Sequence, residues 1–351
     1  MSGEAPRFAS NRAGGASSRR RRVLSGIQPS GALHLGNYLG AIRQWVEGQD
    51  RRENFICIVD LHAITVTQEP GSLLRRTREL AAMLFACGID PARTTLFVQS
   101  HVRAHAECAW ILGCVTPLGW LERMTQYKAK AQQQKSVSTG LLTYPVLQTA
   151  DILLYDADEV PVGEDQKQHI ELARDIALRF NQLYGETFVV PEGVFAEVGA
   201  RVMGLDDPTQ KMSKSAEGRD HAVLLTDSDA EIERTFRRAV TDSGRDIVFS
   251  DAPEKAGVRN LLTMYQVLTA KTRAEVEADF AGARGYGDLK KRVAEMVIET
   301  VRPIRERYEA LMADPHELDR LLHTGAEAAR AVAEPKIELV KARVGFLPAR
   351  G

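Results

Sequence analysis

Four cysteines in 351 residues, with no C-x-x-C pair among them, leave no disulfide scaffold and no zinc-ribbon spacing to organise this chain. Cys57, Cys87, Cys108 and Cys114 read as free thiols of a reducing compartment, and a cytoplasmic location is expected. No apolar run reaches the ~18 residues a membrane span requires, so no membrane association is expected. The N-terminal stretch lacks the apolar core of a secretory signal. Internal repeats are absent. Charge of one sign is missing too, since 46 Lys and Arg face 47 Asp and Glu for a net of −1. Total charge therefore does not advertise a nucleic-acid binder.

That balance hides an asymmetry. Residues 1–22 carry six arginines and one acid, a net of +5, which leaves −6 for the rest. With almost no apolar content this segment cannot bury enough surface to offset ordering, so 1–22 is expected to be a disordered basic tail. Its Arg- and Ser-rich, acid-poor composition also fits an organellar transit segment.

What the chain does have is rhythm. With 44% hydrophobic residues it can build a substantial core, and its length suggests about two domains. Short β-branched runs at 23–27, 55–60, 95–99, 159–163 and 187–191 alternate with amphipathic stretches at 36–47, 72–86, 104–125, 141–155 and 164–183. This pattern predicts a Rossmann-like α/β fold, a parallel sheet with helices on both faces, over 23–220. After about residue 221 the β-rich runs stop. Helical periodicity at 229–240, 258–268, 272–283, 287–312 and 316–342 predicts a smaller all-helical domain over 221–351, its last helix able to pack back on the core.

Ligands of open parallel sheets sit where strands end and helices begin. The first such junction reads Gln28-Pro29-Ser30-Gly31-Ala32-Leu33-His34-Leu35-Gly36-Asn37. Its glycines allow close backbone approach, a helix starting near Gly36 presents unpaired N–H groups, and His34 and Asn37 add side-chain donors. By itself this could be an ordinary βα turn. A second element lies about 175 residues on: Lys211-Met212-Ser213-Lys214-Ser215 puts two lysines and two hydroxyls on one segment. Such a segment can close over a triphosphate and neutralise charge as pyrophosphate departs.

The two together resemble the class I aminoacyl-tRNA synthetases, with His34–Asn37 as a variant HIGH signature and Lys211–Ser215 as an intact KMSKS. The segments 26–42, 59–65, 121–128, 140–155 and 160–175 narrow the resemblance to the bacterial tryptophanyl type, over about 23–345. The resemblance implies activation of L-tryptophan with ATP to tryptophanyl-adenylate, then charging of tRNA(Trp), by a homodimer. Positioning and charge stabilisation would do the work, with Mg²⁺ carried by the phosphates and no metal held by the protein. Lys211, Lys214, Lys128, Asn37 and His34 are the expected catalytic set, with Lys130 a further candidate beside Lys128. Gln28, Pro29, Ser30, Gly36, Asn37, Gly163, Glu164, Asp165, Val202, Lys211, Met212, Ser213, Lys214 and Ser215 would frame ATP. Asp151, Gln148, Tyr144, His62, Gln166, Leu24, Gly26, Val160 and Val162 would hold tryptophan.

On the 140–155 helix Tyr144, Gln148, Asp151 and Tyr155 share one polar stripe. The residues alone leave Asp151 two readings, an ion pair with a neighbouring Lys or Arg or the acceptor for an indole N–H; the resemblance implies the second. Gln148 and Leu24 depart from the family pattern, which commonly has Met and Phe there. They suggest an auxiliary copy tolerant of ring-substituted tryptophan or of indole-like inhibitors, with the basic tail serving a further protein partner. His101, His105, Cys108 and Cys114 tempt a metal reading, but their spacing is not that of a ligand set. Rival readings are a binding or regulatory paralogue, a tyrosyl-type synthetase and a nucleotidylyltransferase.

Overall fold

The computed structural model describes residues 20–132, 136–194, 201–213 and 218–348, and within these the side chains of 129–132 and of 164 are left out. The expectations for residues 1–19, Lys214 and Ser215, and for the side chains of Lys130 and Glu164, therefore lie outside what is described. Five parallel strands form one sheet: β1 (Arg22–Ile27), β2 (Glu53–Ile58), β3 (Thr94–Val98), β4 (Glu159–Pro161) and β5 (Glu192–Val194). Their order is β3-β2-β1-β4-β5. The chain works outward from β1 to β3, then crosses to the other side of β1, which opens a crevice beyond the carboxyl ends of β1 and β4.

Period-two alternation sends neighbouring side chains to opposite faces, and both faces are buried. Phe55 and Cys57 of β2 join Leu24, Phe97 and Val160 on one side. That face is covered by the helices Ala104–Val115, Thr139–Leu153 and Lys167–Tyr184. Ile56 and Ile58 face the other way, with Leu96 and Val98, against Leu35, Leu39, Ile42 and the Ser72–Ala86 helix. The same apolar cluster continues without a break into the helices Asp229–Arg238, Ala256–Thr269 and Tyr286–Ala313. Among the described residues no helix is long and apolar enough to cross a membrane.

The closing helix, Pro315–Val344, returns to the sheet. A Cβ at Gly325 would lie 1.8 Å from the carbonyl oxygen of Leu96, so this helix rests with its backbone directly on β3. Ala329, Ala333, Ile337 and Val340 carry the contact onto the first face. Lys336 pins the far end, 2.8 Å from Asp156 and 3.0 Å from the Thr187 carbonyl.

Several boundaries differ from the sequence pattern, each for a local reason. The last strand is Glu192–Val194 and not 187–191, because the edge pairs in the register Glu159↔Glu192 while Asn181 hydrogen-bonds Thr187 and Phe188. The stretch 104–125 breaks after Val115: Pro117 pushes Thr116 to φ −88, ψ 120, and a separate short helix follows at Leu118–Glu122. Helix 36–47 contains a π segment, Tyr38–Ile42, between two α pieces. Arg21 and Arg22, counted with the tail by composition, belong to the sheet. Arg22 starts β1 and bonds Glu53 at 2.8 Å, while Arg21 bonds Glu159 at 2.7 Å.

Candidate active site

The crevice is a cavity of about 350 Å³. Strand β1 lends it Leu24 and Gly26, with Gln28 just beyond; Cys57 and Val59 come from β2 and its end. Val160, Pro161, Val162 and Gly163 follow β4 along one wall, and Tyr144, Gln148, Asp151 and Ile152 line it from the Thr139–Leu153 helix. His62 and Gln166 close the sides. All the residues assigned above to tryptophan thus meet around one space. Tyr155 does not: it lies past the helix end, fully buried against Phe55 and Phe97, so the polar stripe comprises only Tyr144, Gln148 and Asp151.

Asp151 sits at 4% exposure with neither Lys nor Arg beside it among the described residues. Its charge is met instead by three side-chain donors. Gln99 Nε2 donates to Oδ1 at 2.7 Å, His105 Nδ1 to the same oxygen at 2.6 Å, and His62 Nε2 to Oδ2 at 2.8 Å. The Tyr155 hydroxyl lies 2.9 Å from His105 Nε2, so the ring is held from both sides. Burial alone would push the Asp151 carboxyl up. The hydrogen bonds from His105 and His62 outweigh it and hold the group well below the usual carboxylate range. An ionised carboxylate, with one donor on Oδ2, therefore lines a cavity that Leu24, Val59, Ile152 and Val160 line as well. A carboxylate so placed can reward a ligand that pairs an apolar body with one N–H.

The rim is polar. Gln148 Nε2 approaches Gln166 Oε1 at 3.5 Å, and Gln166 Nε2 donates to Asp165 Oδ2 at 2.8 Å. A Cβ at Gly163 would stand 2.7 Å from Asp165 Oδ1, so glycine is what lets this carboxylate fold inward. Cys57 contributes bulk and not reactivity, since burial pushes its thiol well above the ordinary value.

Beyond the rim lies the glycine turn. Asn37 Oδ1 accepts the His34 backbone N–H at 3.0 Å, so Asn37 caps its own helix start. Backbone bonds Leu35 N–H to Val223 O (2.8 Å) and Leu225 N–H to Leu33 O (3.0 Å) brace the turn from the far side. The His34 ring is buried, its Nδ1 has no partner, and burial followed by the nearby Lys211 lowers its pKa to about 4. It is a neutral ring with an unsatisfied polar atom. A Cβ at Gly36 would come 3.4 Å from Met212 Cβ, which places the lysine-serine segment directly against the turn. Met212 N–H donates to Val202 O at 3.1 Å, and both side chains are buried, so Val202 and Met212 anchor this segment and do not line the cavity. Lys211 is exposed and Ser213 half-buried. Pro29 is buried and Ser30 exposed after β1, and Lys128 is exposed on the Thr125–Gln132 helix.

Sequence reasoning missed the support of Asp151. Both ring nitrogens of His105 are committed, one to Asp151 and one to Tyr155, so its role differs from that of a ligand grouped with His101, Cys108 and Cys114. Gln99, whose Oε1 also accepts the Leu61 N–H at 3.1 Å, carried no signal beyond its place at the end of β3. Among the described residues no cluster of three His, Cys, Asp or Glu side chains could seat a metal ion.

Residues 16–302 match the family of class I tRNA synthetases for tryptophan and tyrosine (W and Y). The tryptophan–tRNA ligase of Wolinella succinogenes is 51% identical over 329 residues, covering 93% of this chain and 99% of the relative. That of Thermosynechococcus vestitus is 53% identical, covering 92% and 99%. The crystal structure of the Campylobacter jejuni tryptophanyl-tRNA synthetase, complexed with ADP and tryptophan, superposes with a TM-score of 0.80 at 36% identity, covering 93% of this chain and all of that one.

Proposed function

The chain belongs to the class I tRNA synthetases of the tryptophan and tyrosine group, on the bacterial tryptophanyl branch, and from that premise we propose how its residues carry the reaction of a tryptophan–tRNA ligase. The indole enters the cavity between β1, β4 and the Thr139–Leu153 helix, its N–H donating to Asp151 Oδ2. Leu24, Val160 and Val162 pack the ring, Gly26 leaves space for it, and Tyr144, His62, Gln148 and Gln166 bound the polar side. This leaves the amino-acid carboxylate toward Gln28 and the glycine turn.

ATP lies across Gln28–Ser30 and the turn at Gly36 and Asn37, its ribose on Gly163–Asp165 and its triphosphate under Lys211–Ser215. The carboxylate attacks the α-phosphate in line and pyrophosphate leaves; no side chain serves as a covalent nucleophile. Lys211, Lys214 and Lys128 neutralise the departing charge, and His34 offers its unpartnered ring nitrogen to the phosphates. Mg²⁺ would be carried on the triphosphate oxygens, where it would help neutralise the charge that develops. The terminal adenosine of tRNA(Trp) then takes the aminoacyl group.

The observation that carries this reading is the buried, ionised Asp151, with a single donor on Oδ2, lining the cavity beside the turn that meets Lys211 and Met212. The helical region 221–351 is the natural seat for the tRNA, with Arg234, Arg237 and Arg245 toward its phosphates; Arg238 is engaged by Asp220 at 3.0 Å. The active species is a cytoplasmic homodimer, and the basic tail serves a further partner. Gln148 and Leu24 widen tolerance for substituted indoles, as an auxiliary copy would need. Tryptophan-dependent exchange of pyrophosphate into ATP tests the reading. Exchange with tyrosine alone, or independent of any amino acid, overturns it.

A further inference from the structure

The approach to Lys211 contains a buried histidine that the chemistry above does not use. His221 is 3% exposed, and its ring lies flat over a glycine: a Cβ at Gly204 would stand 2.2 Å from His221 Cε1. The ring Nδ1 is 2.5 Å from Asp206 Oδ1, and Nε2 is 3.2 Å from the main-chain carbonyl oxygen of Lys211. A carbonyl only accepts, so Nε2 carries a proton and donates it to Lys211. The histidine backbone is fixed as well, its N–H bonded to Gly218 O at 3.3 Å and its carbonyl accepting from Leu205 at 3.0 Å. Asp206 Oδ2 in turn would be only 2.8 Å from a Cβ at Gly218, whose φ of +151° also favours glycine.

We propose that His221, held by Asp206 above Gly204, is a positioning residue that fixes the main chain of Lys211 and so aims its ammonium group at the departing pyrophosphate. The inference rests on the adenylate-forming reading above. Its logic is geometric. The hydrogen bonds Met212 N–H to Val202 O and Gly204 N–H to Gln210 O flank the bridge at Lys211, while the Lys211 carbonyl is met by the His221 ring. The imidazole is what satisfies it. Without the ring, the carbonyl turns to water, and the root of the Lys211 side chain is set only by its neighbours. A displacement of about 1 Å at such a root costs up to about 100-fold in rate while leaving ground-state binding nearly intact. The charged and titratable groups facing the ring are Asp206, Asp207, His34 and Lys211. The two glycines are there because ring and carboxylate occupy the space a side chain would take.

The test is steady-state pyrophosphate exchange with the full-length protein, reading kcat and the KM for tryptophan separately. His221→Ala is expected to lower kcat by about 10–100-fold with the tryptophan KM within about twofold. His221→Gln, which can still donate to the Lys211 carbonyl, recovers most of the loss. Gly204→Ala expels the ring while keeping both partners in the sequence and loses the same factor. The double variant Gly204→Ala/His221→Ala is no slower than either single one, since its Cβ fills vacated space. Unchanged kcat in His221→Ala overturns the inference, as does a parallel fall of kcat, tryptophan affinity and melting temperature in all variants, or losses that multiply in the double variant. An unsubstituted protein with no tryptophan-dependent exchange overturns the underlying reading instead.

Discussion

Replacing His105 by leucine removes the centre of the network that keeps Asp151 ionised, and the cost follows from the contacts. The Tyr155 hydroxyl, at 0% exposure, loses its His105 partner, which costs about 1–3 kcal/mol for a buried group left unpaired. Asp151 keeps Gln99 and His62 but loses a charge-assisted bond of 2.6 Å, again about 1.5–3 kcal/mol. The expected destabilisation is about 3–5 kcal/mol at pH 7, read from urea unfolding monitored by tryptophan fluorescence. Adding Tyr155→Phe removes the orphaned hydroxyl, so the double variant recovers about 1–2 kcal/mol relative to His105→Leu. The pH dependence has a definite sign. A carboxyl whose folded pKa is depressed contributes stability above its unfolded value, and that stability is lost as pH falls through the folded one. In the variant the Asp151 pKa rises toward normal, so acid unfolding begins at higher pH and tryptophan affinity falls. A His105→Leu protein within about 1 kcal/mol of the parent, with an unmoved acid limb, refutes the network as described.

Three further outcomes follow from the same contacts. Gly325→Ala drives a Cβ into the Leu96 carbonyl at 1.8 Å and lifts the last helix from β3, costing at least about 2 kcal/mol by thermal or urea unfolding. His34, with its pKa lowered to about 4, is neutral from pH 5 to 8, so its NMR titration midpoint falls near 4. Because the unfolded chain binds that proton from about pH 6.5 downward, His34 makes stability fall as pH drops from there to 4, and His34→Asn flattens that limb. Gln148→Met removes an amide from the cavity wall and should lower kcat/KM for a polar ring-substituted tryptophan relative to tryptophan itself. An unchanged ratio would deny Gln148 a role in selecting the ring.

Much of the site could be read from local pattern because its residues come from strand ends and one helix face. The stripe of Tyr144, Gln148 and Asp151 follows from helical spacing, whereas Leu24, Gly26, Val160 and Val162 come with the family resemblance and lie at strand ends. What supports them could not be read this way. Gln99 and His105 reach Asp151 across 52 and 46 residues, and a histidine between apolar helix neighbours gives no hint of such a partner. The strand over 187–191 failed because β propensity describes a surface that packs well, and the edge register was decided by β4. Gly204 and His221 specify one another only through the fold, as do Gly325 and Leu96.

The central claim is that Asp151 reads the indole N–H, and one comparison tests it most directly. The quantity is kcat/KM in pyrophosphate exchange for tryptophan against an analogue with sulfur replacing the indole N–H. The account predicts that the parent protein prefers tryptophan by about 10⁴-fold and that Asp151→Asn reduces this to about tenfold or less. A preference that is small in the parent, or that survives Asp151→Asn unchanged, contradicts it.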